Sequence, residues 1–237
     1  MMISIQERIN QLNWADIATA MDNKGFAQVK GVLTNHECDS LTAVYNDEQL
    51  YRKTIVMERH HYGQGEYKYF NYPLPELVQQ LRESVYPKLA PIANNWMQLL
   101  GKEQRFPDSL EQLLQHCHEH EQLRPTPLIL QYTAGGYNAM HQDLYGEVFF
   151  PMQLVFILDE PGTDYEGGEF ILMEQKPREQ SRVRVVQPAK GDMLLFTTSY
   201  RPAKGSKGYH RVNMKHGVGE LMAGKRRSMG IIFHDAK

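Results

Sequence analysis

The sequence predicts an α+β protein in which an all-β core, a double-stranded β-helix or jelly roll, follows a set of N-terminal helices. Three observations support this class. Apolar residues before residue 125 recur at helical spacing, residues after Pro127 alternate as strands do, and short turn sequences separate those strands. We therefore expect residues 1–125 to form a helical or α+β extension that packs on a core at residues 126–237.

The composition fits one large globular domain, with or without an extension. The chain has 237 residues, 41% hydrophobic and 23% charged, which is enough to bury a sizeable core. It contains no cationic start followed by an apolar run and no stretch of about eighteen apolar residues. Two cysteines cannot build a disulfide framework. We expect a cytoplasmic protein that does not associate with membranes.

The first elements should be mostly helical. Residues 3–22 carry apolar side chains at near-helical spacing, and residues 25–31 read as a short strand. Thr34 and Glu37 have the spacing of a capping box that opens a further helix. Residues 73–86 and 91–100, each beginning with a proline, are expected to form two separate packing helices.

Residues 51–72 mix basic and aromatic side chains. Such a mixture can stack planar ligands beside a phosphate backbone. Aromatic residues that alternate along strands more often belong to the core, and that interpretation is the preferred one here.

A histidine cluster lies near residue 118. His116 and His120 stand four residues apart, as metal ligands on a helix can. No second ligand pair is nearby and the preceding helical run is polar, so a solvated helix end is favoured over a zinc site.

The second half of the chain contains eight candidate strands. They are residues 128–132, 137–141, 149–158, 169–173, 181–186, 192–197, 212–218 and 228–233. Glycine- and proline-containing turns separate them. Short strands with such punctuation favour a double-sheet jelly roll over an alternating α/β fold.

The sequence around these strands is organised around His141 and Asp143. Residues two apart on an extended backbone point to the same side, so these two side chains aim at one point. Two imidazoles and one carboxylate leave one face of a metal open, which is the ligand set of Fe(II) centres that bind O2. The His-x-Asp triplet is weak evidence alone and requires another histidine downstream.

The candidates for that third ligand are His210, His216 and His234. Strand parity does not separate His210 from His216, because six residues leave both on one face of a regular strand.

A hairpin argument favours His216. If the chain turns near residues 223–224, a strand carrying His216 pairs with one carrying Arg226, and a guanidinium enters the cavity where the far end of a dicarboxylate would lie. Ser228 shares the face of Arg226, whereas Arg227 points the other way. His210 and then His234 remain the alternatives.

Positive charge is concentrated between Lys176 and Arg227. This segment has thirteen basic residues against three acidic ones, a net charge of +10, while the whole chain carries only −2. Such a segment can present a positive surface to an anionic partner such as nucleic acid. A solvated strand face is the alternative.

The chain from about residue 128 to residue 233 resembles the Fe(II)/2-oxoglutarate-dependent dioxygenases, a group of oxidoreductases. The motifs that carry this resemblance are Tyr132 nine residues before His141, Gly167-Gly168-Glu-Phe170, Pro188-Ala-Lys-Gly191-Asp-Met-Leu-Leu-Phe196, and His216-Gly-Val with Arg226-x-Ser228. The resemblance implies an iron site and a cosubstrate site, formed respectively by His141, Asp143 and His216 and by Arg226, Ser228 and Tyr132. It also implies that 2-oxoglutarate and O2 are consumed, that succinate and CO2 are released, and that a substrate C–H bond is oxidised.

Two subfamilies look similar to parts of the chain. Tyr132-x-x-Gly135 before His141 resembles the AlkB-type nucleic-acid demethylases, which hydroxylate N-methyl groups on damaged bases. Those proteins carry a second arginine six residues after the first, and Ile232 stands there in this chain. Gly-Gly-Glu-Phe and Arg226-x-Ser228 resemble prolyl-hydroxylase-type domains. Much of the chain is also similar to bacterial oxygenases proposed to act in oxidative repair of nucleic acid.

We therefore favour oxidative demethylation of damaged nucleic acid as the function. Hydroxylation of a prolyl or other residue in a peptide or protein, and oxidation of a small metabolite, are the enzymatic alternatives. A jelly-roll binding module without activity is the remaining one, in which His141 and Asp143 form a satisfied polar pair at a strand end.

Overall fold

A computed structural model describes residues 3–237 and contains, within them, two antiparallel β-sheets and five α-helices. The helices are α1 (Ile5–Gln11), α2 (Trp14–Lys24), α3 (Asn35–Ala43), α4 (Glu76–Leu99) and α5 (Leu110–Glu119). The strands are β1 (Phe26–Val29), β2 (Tyr51–Val56), β3 (Gly63–Gln64), β4 (Glu66–Phe70), β5 (Leu128–Thr133), β6 (Tyr137–His141), β7 (Met152–Ile157), β8 (Tyr165–Gly167), β9 (Phe170–Gln175), β10 (Arg182–Val186), β11 (Met193–Thr197), β12 (Tyr200–Gly205), β13 (Gly208–Val218) and β14 (Leu221–Ile232).

The larger sheet has eight strands and the smaller has six. The larger follows the order β1-β11-β7-β14-β5-β4-β2, with β8 on β14, and the smaller follows β10-β9-β13-β6-β3, with β12 on β13. Neighbours in these orders are rarely neighbours in the chain, as in a jelly roll. The predicted fold class is confirmed.

Side chains from both sheets meet in a core between them. Phe170 and Leu172 of the smaller sheet pack with Val155, Leu194 and Phe196 of the larger one. This core exists because inward-facing positions of each strand are apolar at every second residue. It also fixes the separation of the two sheets.

The helices cover the outer face of the larger sheet. The α4 helix buries a continuous apolar stripe that includes Val78, Leu89 and Trp96. The expectation of two helices was wrong, because α4 runs through Pro87 and Pro91 without ending. Burial of the stripe outweighs the backbone hydrogen bonds that the prolines cannot donate.

The shorter N-terminal helices follow their predicted signals. Thr34 and Glu37 form the expected capping box, in which each side chain bonds the other's backbone N–H group.

The His116 and His120 pair lies at the end of α5, where both side chains contact solvent. None of the helices that the structure describes has the length and apolar character needed to cross a membrane.

All eight predicted strands are present, with ends shifted by a few residues. The β8 and β12 strands and the first part of β13 were missed. Both β12 and the start of β13 are rich in basic residues and glycine, which obscures their alternation. The β14 strand also begins at Leu221 instead of residue 228.

Strands from both sides of residue 125 share the larger sheet. The β4 strand pairs with β5, and β1 pairs with β11. A division into an extension at residues 1–125 and a core at residues 126–237 remains a prediction, and residues 1 and 2 of that extension lie outside the described residues.

Candidate active site

His141, Asp143 and His216 converge at one end of the space between the sheets. His141 ends β6 and is the cross-strand partner of His216 on β13. Their imidazole centroids are 4.2 Å apart. The Nε2 atom of His216 lies 3.1 Å from Oδ2 of Asp143, and that of His141 lies 3.6 Å from Oδ1. Because one donor atom from each residue lies within 4.8 Å of the others, the group can hold a metal ion.

Hydrogen bonds orient two of these side chains. Nδ1 of His141 is 2.8 Å from the carbonyl oxygen of Ala139, so Nδ1–H can donate and leave the Nε2 lone pair free. The Tyr145 hydroxyl donates to Oδ1 of Asp143 and the Gln153 amide donates to Oδ2, each at 2.8 Å. Both carboxylate oxygens are therefore fixed before any metal binds.

The protonation states of the buried pair suit metal binding. Burial by itself raises the pKa of Asp143, but the neighbouring His216 and His141 and the bond from Tyr145 hold that pKa well below its usual range. Burial lowers the pKa of His216, although Asp143 opposes the shift. At neutral pH the pair is thus a carboxylate and a neutral imidazole, the forms that ligate a divalent metal.

A cavity of about 480 Å³ extends from this group between the sheets towards Arg226. Arg226 and Ser228 lie on the inward face of β14, where Arg226 is the cross-strand partner of Tyr132 on β5. All three are buried, with at most 2% of each residue exposed. The guanidinium carbon of Arg226 is 5.8 Å from the Tyr132 ring centroid and 5.9 Å from that of Tyr165.

This end of the cavity has unsatisfied hydrogen-bond donors. Arg226 forms no ion pair with any carboxylate among residues 3–237, and its Nε–H has no hydrogen-bond partner. The buried Tyr132 hydroxyl also lacks one. Ser228 is a polar neighbour of Arg226, and its Oγ is 3.4 Å from Nη1 of the guanidinium. A buried cation beside orphaned donors is costly unless an anion satisfies it, so the residues present fit a ligand carboxylate.

Arg226 lies on a different sheet from His216, whereas a hairpin between their two strands was expected. The predicted pairing of the His216 strand with the Arg226 strand was wrong, because β13 pairs within the smaller sheet and β14 within the larger. Residues 223–224 form no turn; they lie inside β14 beside a register shift against β8. His216 and Arg226 both line the cavity between the sheets, while Arg227 points away and pairs with Asp159 at 2.7 Å.

The other two candidate histidines lie outside the metal-binding group. His210 lies near the β12–β13 turn, opposite Ala203. His234 is buried, and its Nδ1 accepts the backbone N–H of Phe150. Burial lowers the pKa of His234 to about 4, which suits a neutral side chain in the core.

Sequence reasoning missed Tyr145 and Gln153. A signal for Gln153 existed, because it is the one polar residue in the wholly buried strand β7. Nothing in the local sequence marks Tyr145. Phe170 and Phe196 were quoted only as motif residues, and the structure packs both rings against His216.

A sequence model of an oxygenase family, described as catalysing oxidative methylation of damaged DNA, matches residues 65–236. The chain belongs to this oxygenase family. The matched segment includes every residue of the site described above.

The chain is also similar to other proteins and to solved structures. Uncharacterized proteins from two strains of Mycobacterium tuberculosis are each 47% identical to the oxygenase over 167 residues, which cover 70% of this chain and 72% of theirs. A prolyl-4-hydroxylase from Pseudomonas putida has a TM-score of 0.57 at 14% identity, with 94% of this chain and 99% of that chain covered.

Two further structures share the fold. A prolyl hydroxylase from Trichoplax adhaerens, solved with a hypoxia-inducible-factor peptide, has a TM-score of 0.58 at 15% identity and covers 98% of this chain and 92% of its own. A 2-oxoglutarate/Fe(II) oxygenase-family oxidoreductase from Burkholderia pseudomallei has a TM-score of 0.53 at 15% identity, covering 96% and 94%. The oxygenase therefore shares this fold, and His141, Asp143 and His216 form a group that can hold a metal ion.

The hydrogen bonds to Asp143 lead to a first prediction. Tyr145→Phe and Gln153→Leu should each weaken Fe(II) binding by roughly 10- to 100-fold, the usual effect of removing a partner that orients a metal ligand. Metal titration, followed by the visible spectrum of bound Co(II), measures this. Tyr209→Phe on the exposed face of β13 is the matched control. Unchanged metal affinity in both variants would contradict the assignment.

Proposed function

We propose that this enzyme oxidatively demethylates damaged nucleic acid. The observation that carries the proposal is the family match, described as acting on damaged DNA, over a segment that contains the metal-binding group and Arg226, Ser228 and Tyr132. An oxidising site converts an N-methyl group to N-hydroxymethyl, with 2-oxoglutarate and O2 giving succinate and CO2. The hydroxymethyl group then leaves as formaldehyde and restores the N–H bond.

In this proposal His141, Asp143 and His216 hold Fe(II), which supplies the site for O2 and cosubstrate. Tyr145 and Gln153 keep the Asp143 carboxylate in one orientation. Apolar walls that include Phe170 and Phe196 exclude water from the space beside His216. Ligand geometry and a dry cavity are the protein's main contributions to metal-assisted chemistry.

Arg226, Ser228 and Tyr132 bind 2-oxoglutarate by its far carboxylate. The guanidinium donates hydrogen bonds to that carboxylate from a charged group, and the hydroxyl groups of Ser228 and Tyr132 donate further hydrogen bonds to it. The inward face of β14 becomes apolar further along, since Gly230 and Ile232 also line the cavity. With Ile232 where the demethylases carry a second arginine, Arg226 is the one arginine lining the cavity among the described residues.

The mouth of the cavity suits a planar substrate. Tyr62 lines the cavity and is 50% exposed, with its ring stacked on His60 at 5.3 Å. Leu144, also 50% exposed, lines the cavity as well. An accessible aromatic ring beside the reactive centre can stack a base that has left its strand. Other aromatic residues of the segment 51–72 are buried, as expected for core aromatics; they include Tyr51, Tyr69 and Phe70.

The basic segment has fewer free charges than its composition suggests. Arg201 pairs with Glu174, Arg227 with Asp159 and Lys190 with Asp39. Those side chains are committed to intramolecular pairs. The proposed strand contacts must therefore come from the remaining basic residues.

Three of those residues flank the site at different distances. Arg184 lies on β10 in the cross-strand row that runs through Leu172 to His216. That is two strand spacings, or about 10 Å, from His216. Lys204 and Lys207 lie at the β12–β13 turn, roughly 23 to 30 Å along the strand from His216.

Binding of single-stranded oligonucleotides should fall as salt rises. Each phosphate contact contributes about −0.7 to the log–log slope, so four or five contacts weaken binding several-fold for each doubling of salt. Charge reversal at Arg182, Arg184, Lys204 and Lys207 should flatten that slope. Fluorescence anisotropy across a salt series measures it. Absence of binding at low salt, or an unchanged slope in the variant, would count against nucleic acid.

A succinate-release screen with Fe(II) and 2-oxoglutarate tests the reaction itself. The substrates are methylated oligonucleotides, proline-containing peptides and free amino acids. Turnover with methylated oligonucleotides, accompanied by formaldehyde, is the expected result. Turnover with peptides alone would replace the proposal with residue hydroxylation, the chemistry named for two structures with this fold.

A further inference from the structure

A groove on the outer face of the smaller sheet lies beside the active site. It has a volume of about 180 Å³ and is lined by Gln142, Met173, Gln175, Arg211, Asn213 and Lys215. The alternation of β13 creates it, because His216 and Met214 point inward while the intervening residues point outward. One strand thus contributes to the metal-binding group on one face and to the groove on the other.

Gln142 joins the groove to the active-site cavity. It lies between His141 and Asp143 in the chain and lines both spaces. Its amide donates to the carbonyl oxygens of Ser199 and Met214, each at 2.8 Å, which fixes this segment. The groove and the active-site cavity thus share this one lining residue.

The groove is cationic and has no acidic residue in its lining. Within residues 3–237, neither Arg211 nor Lys215 forms an ion pair, unlike Arg201 and Arg227 of the same basic segment. The two cations therefore remain available to an external anion.

A second positive charge lies close to Arg211. The Arg211 guanidinium is 4.1 Å from the centroid of the Tyr200 ring, and the Lys102 ammonium is 4.8 Å from the same centroid. Lys102 also donates to the Tyr200 hydroxyl at 3.0 Å. The two charges are therefore at most about 9 Å apart, and a bound anion would offset their mutual repulsion.

We propose that backbone phosphates of a single-stranded nucleic acid bind in this groove, on Arg211 and Lys215. This inference rests on the proposed function. The outward residues of β13 recur about every 6.7 Å, so they present polar groups at regular intervals along the strand. The nucleic acid leaves the metal site past Gln142 and follows β13 towards Lys204 and Lys207 at the turn.

The test compares two double variants of the full chain. Arg211→Glu with Lys215→Glu should weaken binding of a single-stranded oligonucleotide and lower the magnitude of its salt slope by about 1.4, the contribution of two phosphates. Arg211→Gln with Lys215→Gln should give a similar slope change and covers the case in which charge reversal impairs folding. Lys24→Glu with Lys30→Glu, both exposed and outside the basic segment, should leave the slope unchanged.

The outcomes separate this inference from the function on which it rests. One outcome is that the unaltered protein binds with a salt slope that neither double variant of Arg211 and Lys215 changes. That result contradicts phosphate binding in the groove and leaves the demethylase proposal standing. Absence of oligonucleotide binding by the unaltered protein at low salt removes both. Equal competition by polyglutamate of matched charge overturns the groove as a nucleic-acid site, because it shows a general polyanion surface.

Discussion

His216→Ala is expected to abolish iron binding and 2-oxoglutarate turnover. The variant removes one of three proposed ligands from a site that must hold the metal throughout the reaction, so its effect should exceed the roughly 10- to 100-fold loss typical of residues around the ligands. His141→Ala and Asp143→Ala should behave alike. Metal analysis of the purified variants measures the loss, and circular dichroism checks that the sheets remain.

His210→Ala is the matched control for this experiment. His210 lies on the same strand and the same face as His216 but near the β12–β13 turn, outside the metal-binding group. It should retain iron and activity. Full iron retention by His216→Ala, together with loss in His210→Ala, would overturn the assignment of the third ligand.

Arg226→Ala should raise the 2-oxoglutarate requirement by roughly 30-fold to several thousand-fold. A buried carboxylate that loses a charge-assisted partner loses about 2 to 5 kcal/mol of binding free energy. The effect should lie towards the upper end, because Ile232 offers no second charge. The measurement is the apparent affinity for 2-oxoglutarate at saturating iron.

Both neighbours of Arg226 serve as controls. Lys225→Ala removes an exposed cation from the same strand and should leave the cosubstrate affinity unchanged. Arg227→Ala breaks the pair with Asp159 and should lower the thermal midpoint without changing that affinity. Equal effects of Arg226→Ala and Arg227→Ala on affinity would mean that the inward face of β14 is wrongly assigned.

Local alternation explains how much of the fold the sequence could predict. Strands such as β7 and β11 bury apolar residues between turns, so their pattern is visible without knowledge of their partners. The β12 strand reads Tyr-Arg-Pro-Ala-Lys-Gly, and its strand character depends on pairing with β13. The prolines of α4 predicted an interruption of the helix. The helix continues because its apolar stripe is buried against residues distant in sequence, which no local pattern shows.

The site likewise combines features that local alternation predicts with features that depend on partners distant in sequence. Parity along β14 decides that Arg226 and Ser228 share a face, so this prediction did not depend on the hairpin pairing that proved wrong. Tyr145 and Gln153 matter because of where they meet Asp143. For Gln153 that contact depends on a register between strands that no local pattern encodes.

The division of the site between two sheets gives the packing core an additional role. The histidines belong to the smaller sheet, whereas Gln153 and Arg226 belong to the larger, and Phe170 and Phe196 lie between the sheets. The bulk of those two rings therefore acts as a spacer that sets the reach from the metal-binding group to Arg226. A smaller ring would shorten that reach and a larger one would lengthen it, so side-chain volume at these positions is constrained by turnover as well as by stability.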